Sequence, residues 1–121
     1  MSKTILIVDD SDMVRRILSF TLKSAGYTIL VGEDGDDALT YFDGKNIDLV
    51  ITDLNMPNKD GLQLIQEIRA MQRYKFLPVV LFLSETTADI KEFMKTSGAT
   101  IYFDKNYIRE KLVPTVKKMI G

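Results

Sequence analysis

The chain has 121 residues, the size of one domain, with apolar and charged fractions of 45% and 27% that suit a buried core. It contains neither cysteine nor histidine. This excludes disulfides, thiolate chemistry, Ser-His-Asp triads and imidazole-bound metals, so any metal must be held by oxygen, which points to Mg²⁺, Mn²⁺ or Ca²⁺.

The net charge of −1 is unevenly spread: residues 1–60 hold six Lys/Arg against eleven Asp/Glu, and residues 61–121 hold ten against six. The two halves therefore attract different partners, yet no Lys/Arg run is dense enough to argue for nucleic acid. The longest apolar runs are far too short to span a membrane. Met1-Ser2-Lys3 leads straight into a strand-like segment without a signal-peptide pattern, so the chain is expected to be cytoplasmic and intact.

Strand-like and helix-like segments alternate, the pattern of βα units and a parallel sheet. Ile5 to Val8 reads as a buried strand. Asp12 to Ala25 reads as a helix, with Met13, Val14, Ile17, Leu18, Thr21, Leu22 and Ala25 at helical spacing, stopped by Gly26. Thr28 to Val31 is a second strand, and Asp36 to Phe42 a short helix ending near Gly44. Asp48 to Thr52 is the third strand, followed by a loop from Asn55 to Gly61 that Pro57 and Gly61 punctuate. Leu62 to Met71 is a helix with Leu64, Ile65, Ile68 and Met71 inward. Pro78 opens the fourth strand, which runs to Leu83. Thr86 or Thr87 can cap a helix running to Ser97, which Gly98 ends. Thr100 to Phe103 is the fifth strand. Ile108 to Ile120 is the last helix; Pro114 within it implies either a late start or a kink. The first, third and fourth strands are apolar almost throughout, so they should be central and covered on both faces. Five such units fit a single-domain, doubly wound α/β three-layer sandwich.

Polar residues follow these strands directly. Asp9 and Asp10 follow the first, Asp53 the third, Ser84 the fourth and Lys105 the fifth. In a parallel sheet all of them emerge at the carboxyl edge, where open α/β sheets bind ligands. An aspartate after a strand commonly caps a helix or starts a turn, but three in one pocket are harder to explain that way. Two carboxylates about 5 Å apart at an effective dielectric near 20 repel by roughly 3 kcal/mol. A hard cation resolves the conflict, and Mg²⁺ takes one or two carboxylates while leaving room for a phosphate oxygen. A carboxylate can itself be a nucleophile that forms an acyl phosphate. Asp53 is the candidate, because it stands alone on the central strand opposite the Asp9/Asp10 pair. The Lys105 ammonium and Ser84 hydroxyl would hold other phosphoryl oxygens.

In these residues the chain resembles the receiver domain of two-component response regulators, most closely the free-standing chemotaxis type. The match covers the whole chain and is strongest over Asp53-Leu54-Asn55-Met56-Pro57-Asn58-Lys59-Asp60-Gly61 and Ile7-Val8-Asp9-Asp10-Ser11. The resemblance implies a flavodoxin-like sheet of order 2-1-3-4-5, a strand order for which chemotaxis receivers are a standing example, and a single receiver domain over 1–121 without an output domain. It implies that Asp53 is the phosphorylated residue. Asp10 would ligate Mg²⁺ (or Mn²⁺) directly, Asp9 through water, and Asn55 through its backbone carbonyl. Ser84 would be the switch hydroxyl, Tyr102 the switch aromatic and Lys105 the phosphate partner. The implied partners are a sensor histidine kinase or phosphotransfer protein and a target docking near Tyr102 and the last two helices. A monomer with no membrane or nucleic-acid partner is expected, catalysing only its own phosphorylation and dephosphorylation.

Two residues depart from the family pattern. Asn106 replaces the usual proline after Lys105, and because a cis bond to a non-proline residue costs about 2.5–4 kcal/mol, a trans bond is expected. Glu85 stands where a small residue is usual and can crowd the phosphoryl entrance. These departures support one alternative, a degenerate receiver that binds partners without phosphorylation. A phosphohydrolase is disfavoured because Asn55 occupies the position of the acid/base carboxylate. A calcium-binding EF-hand loop is disfavoured by Pro57 and Asn58, and a nucleotide site by the lack of a Gly-rich phosphate loop.

Overall fold

Five short apolar segments separated by amphipathic ones can bury themselves only as a sheet covered on both sides. A computed structural model describes residues 2–83, 92 and 95–121 and shows that arrangement. The strands are β1 (Thr4–Val8), β2 (Thr28–Gly32), β3 (Leu49–Asp53), β4 (Val79–Leu83) and β5 (Ile101–Asp104). All neighbouring pairs are parallel, in the order β2-β1-β3-β4-β5, which is the expected 2-1-3-4-5 topology. β1, β3 and β4 lie inside and are buried almost end to end, whereas β2 and β5 form partly exposed edges.

Strand alternation divides the core in two. Leu6 and Val8 of β1 face one layer with Val50, Val79 and Leu81, against α3 (Gly61–Ala70) and α2 (Gly35–Leu39). Ile5 and Ile7 face the other with Ile51, Val80 and Phe82, against α1 (Asp12–Ser24) and the C-terminal helix (Ile108–Ile120). The three-layer expectation holds.

Element ends are where the structure departs from the periodicity. β3 includes Asp53, so the candidate nucleophile still belongs to the strand. α2 is shorter than expected, starting at Gly35 and ending at Leu39, with turns following. Asp34 caps it, accepting from Asp37 N at 2.8 Å. The C-terminal helix runs through Pro114 from Ile108, which excludes the late start. In α1 only Leu18 and Leu22 are fully buried; Met13 and Ile17 point outward, 70% and 49% exposed, because the sheet covers a narrower stripe than the apolar spacing offered. Ser84, Glu85, Thr86 and Thr87 lie outside the described residues. Residues 95–97 are helical, and Gly98 follows at φ 90°.

Candidate functional site

β1 and β3 are adjacent and in register, Val8 opposite Thr52, so the residues that follow them share one edge. Asp9, Asp10 and Asp53 each offer a carboxylate oxygen, and these atoms lie within 4.8 Å of one another. Asp9 is 1% and Asp53 8% exposed, while Asp10 is open to solvent. β5 brings in the balancing charge. The Lys105 Nζ lies 3.2 Å from Asp53 Oδ2 and 3.4 Å from Asp9 Oδ2. Four of the sequence-predicted residues therefore converge from three strands.

Local hydrogen bonds fix two of the three carboxylates. Asp53 Oδ1 accepts from Leu54 N at 2.9 Å, and Asp9 Oδ1 from Ser11 N at 2.9 Å. The second oxygens face the pocket. Asp9 Oδ2 is buried and accepts no hydrogen bond from the described residues; the Lys105 ammonium at 3.4 Å is its ion-pair neighbour. A buried, unsatisfied carboxylate oxygen is costly unless a cation joins it. With three converging carboxylates and no nitrogen or sulfur donor, the set fits a hard divalent cation.

The charges of the site are out of balance. Burial, and next the charge of Asp9, push the Asp53 carboxyl above the ordinary aspartate range, although Lys105 and the Leu54 N–H pull the other way. Burial works against the Lys105 ammonium, yet Asp53 and Asp9 outweigh it and hold its pKa above the usual lysine value. A cation would remove the mutual repulsion and keep Asp53 ionised.

The loop from Leu54 to Asp60 forms one wall. It closes because Gly61 N donates to Leu54 O at 2.8 Å, and a Cβ on Gly61 would sit 2.2 Å from the Asp53 carbonyl oxygen. Asn58 adopts a left-handed φ of 66°, and its side chain donates to Asp34 at 2.9 Å. Lys59 pairs with Glu67 on α3 and lies 3.6 Å from Asp36 on α2, while its carbonyl accepts from Gly35 N. Asp60 caps α3 in a reciprocal box with Gln63. The loop is thus anchored to two helices.

Asn55 lies exposed in this loop, two residues past Asp53, outside the carboxylate grouping. Tyr102 on β5 is 42% exposed, three residues before Lys105. The Lys105–Asn106 peptide bond is trans, as expected, and Asp104 caps the turn by accepting from Asn106 N at 2.8 Å. Ser84 and Glu85 fall outside the described residues. Sequence reasoning missed Arg15, whose guanidinium donates to the Asp9 carbonyl at 2.7 Å. A clue was available: a cation in the first turn of a helix opposes the helix dipole, so it needs another reason to be there.

Comparison with known proteins gives the family. The family described as response regulator receiver domain matches residues 5–117. The chemotaxis protein CheY of Pseudomonas aeruginosa is 34% identical over 116 residues, 95% of this chain and 94% of that protein. Other curated matches are to one stretch of much longer sensor kinases, of which the chain spans 17% and 10%. Among solved structures, the chemotaxis protein CheY4 of Vibrio cholerae superimposes with a TM-score of 0.91 at 33% identity, covering 98% of this chain and 99% of that one. The response regulator TrrA of Thermotoga maritima, solved in complex with Mg²⁺-BeF, gives 0.83 at 33% identity, covering 97% and 98%. The chain belongs to the response regulator receiver domains of two-component phosphorelays.

Proposed function

We propose that Asp53 accepts a phosphoryl group from the phosphohistidine of a sensor kinase or phosphotransfer protein, and that the resulting acyl phosphate alters binding to a target. The observation that carries this reading is the convergence of three carboxylates and one ammonium, with Asp53 held by Leu54 N through one oxygen and its other oxygen facing Lys105. The donor histidine lies outside these 121 residues, which contain none.

In the transfer, a carboxylate oxygen of Asp53 attacks phosphorus as the P–N bond breaks. The electron pair stays on the imidazole nitrogen, which takes up a proton. Asp10 and Asp53 would hold Mg²⁺ (Mn²⁺ fits the same donors), with Asp9 as an outer carboxylate and the Asn55 carbonyl completing the set; the ion neutralises charge on the transferring group. Lys105 already bridges Asp9 and Asp53, so its ammonium is placed to follow the charge onto a phosphoryl oxygen. Ser84 would hydrogen-bond another.

Two surfaces suit the two partners. Met13, Ile17 and Phe20 form an exposed apolar stripe on α1, the helix that starts beside the acidic pair, and would receive the phosphodonor. Tyr102, Lys95, Arg109, Lys111, Lys117 and Lys118 are exposed around β5 and the C-terminal helix, and would bind an acidic target segment. A monomeric, cytoplasmic chemotaxis regulator fits these features and the nature of its relatives; no helix among the described residues is long and apolar enough to cross a membrane. The test is phosphotransfer from a phosphorylated histidine kinase to wild type and Asp53→Ala, with and without Mg²⁺. Transfer only to wild type with Mg²⁺ is expected. A chain inert to donors and to beryllofluoride would instead be the degenerate, phosphorylation-independent binder.

A further inference from the structure

Arg15 sits against the helix dipole, with an i,i+3 partner in Asp12 as its local compensation. It lies in the first turn of α1, where the helix dipole disfavours a cation. Its side chain is only 14% exposed, so a permanently charged guanidinium has been drawn out of water. What it gains is specific. Nη1 donates to the Asp9 carbonyl oxygen at 2.7 Å, and Nη2 lies 3.4 Å from Asp12 Oδ1. Asp9 is the first residue past β1. Its N–H is held by the Gly32 carbonyl at 3.2 Å and its Oδ1 by Ser11 N.

The peptide unit is planar, so fixing the Asp9 carbonyl also fixes the Asp10 N–H and the position of the Asp10 Cα from which its side chain departs. Asp10 is the exposed member of the trio and has no strand to orient it. We infer that Arg15 is a positioning residue for the cation site: by gripping the Asp9 carbonyl it sets the Asp9–Asp10 peptide plane, and with it the Cα from which the Asp10 carboxylate reaches the pocket shared with Asp53. This inference rests on the divalent-cation reading of the site.

Positioning and simple charge predict opposite signs. A nearby positive charge repels a cation, so if Arg15 acted only by charge, removing it would tighten Mg²⁺ binding. A positioning group loosens the site when removed, by about tenfold for residues that orient metal ligands.

The experiment is calorimetric titration of Mg²⁺ into wild type, Arg15→Met, Arg15→Lys and Asp12→Asn, with thermal midpoints measured without metal. The expected result is affinity about tenfold weaker in the Met variant, partial recovery in the Lys variant and under twofold change in Asp12→Asn. Unchanged or tighter binding by Arg15→Met overturns the inference, as does loss of thermal stability without loss of affinity. If the Met variant is too unstable to titrate, Arg15→Lys decides: weaker binding than wild type supports positioning, and equal binding overturns it. A wild type that binds no Mg²⁺ overturns the cation reading along with this one.

Discussion

The two edges of the sheet use polar residues in opposite ways. At the amino edge every bond closes a structural gap. Asp48 Oδ2 accepts from Thr4 N at 2.7 Å, Thr100 Oγ1 from Val79 N at 2.9 Å, and the Tyr74 hydroxyl links Gly44 N to the Lys45 carbonyl. Arg69 gathers the carbonyls of Leu77 and Gly98. At the carboxyl edge, among the described residues, Asp9 Oδ2 accepts no hydrogen bond, three carboxylates crowd one ammonium, and burial pushes Asp53 away from its charged form. The same chemical groups close strand ends at one edge and are held short of satisfaction at the other. An added cation can therefore stabilise the carboxyl edge, whereas the amino edge has little to gain from one.

Substitutions at the two edges should therefore differ in kind. The largest effect is expected at the closure of the loop that follows Asp53. Gly61→Ala drives a Cβ into the Asp53 carbonyl and should cost about 3 kcal/mol in urea unfolding. Wild-type stability in this variant would mean the loop yields easily. Lys105→Met removes the one cation between Asp9 and Asp53. It should cost about 2 kcal/mol at neutral pH, less than a fully buried pair because Lys105 retains some water, and saturating Mg²⁺ should restore part of the loss.

Asp48→Asn, at the amino edge, weakens one charge-assisted bond; it should lose about 1 kcal/mol, with or without Mg²⁺ and without effect on phosphorylation. The same change at Asp53 should run the other way. Because the folded pKa of Asp53 lies above the ordinary value of 3.8, ionised Asp53 opposes folding. Asp53→Asn should be more stable than wild type in metal-free buffer at neutral pH. Wild type should recover as pH falls through the raised value toward 3.8, where both of its states are protonated. If both Asn variants shift in the same direction at neutral pH, the contrast between the edges is wrong.

The sequence carried the fold almost completely, since periodicity and strand alternation are local signals and the sheet order followed from a recognisable motif set. The site was legible where a strand delivers a residue directly: Asp9, Asp10, Asp53 and Lys105 need only a parallel sheet to meet. What the pattern could not show depends on how the elements pack and on contacts to the backbone. The exposure of Met13 and Ile17 reflects how much of α1 the sheet covers, not their spacing. The grip of Arg15 on a carbonyl six residues back is a backbone contact that leaves no trace in composition. The anchoring of the loop through Asn58, Lys59 and Gly35 requires α2 and α3 to pack side by side, which residue order alone does not state.

The most direct test of the central claim is to map the acyl phosphate itself. Borohydride reduction after phosphotransfer, followed by peptide mass spectrometry, should find modified residue 53 when Mg²⁺ is present and almost none when a chelator is added. Modification at any other carboxylate, or labelling of Asp53 that the chelator leaves undiminished, would contradict the account.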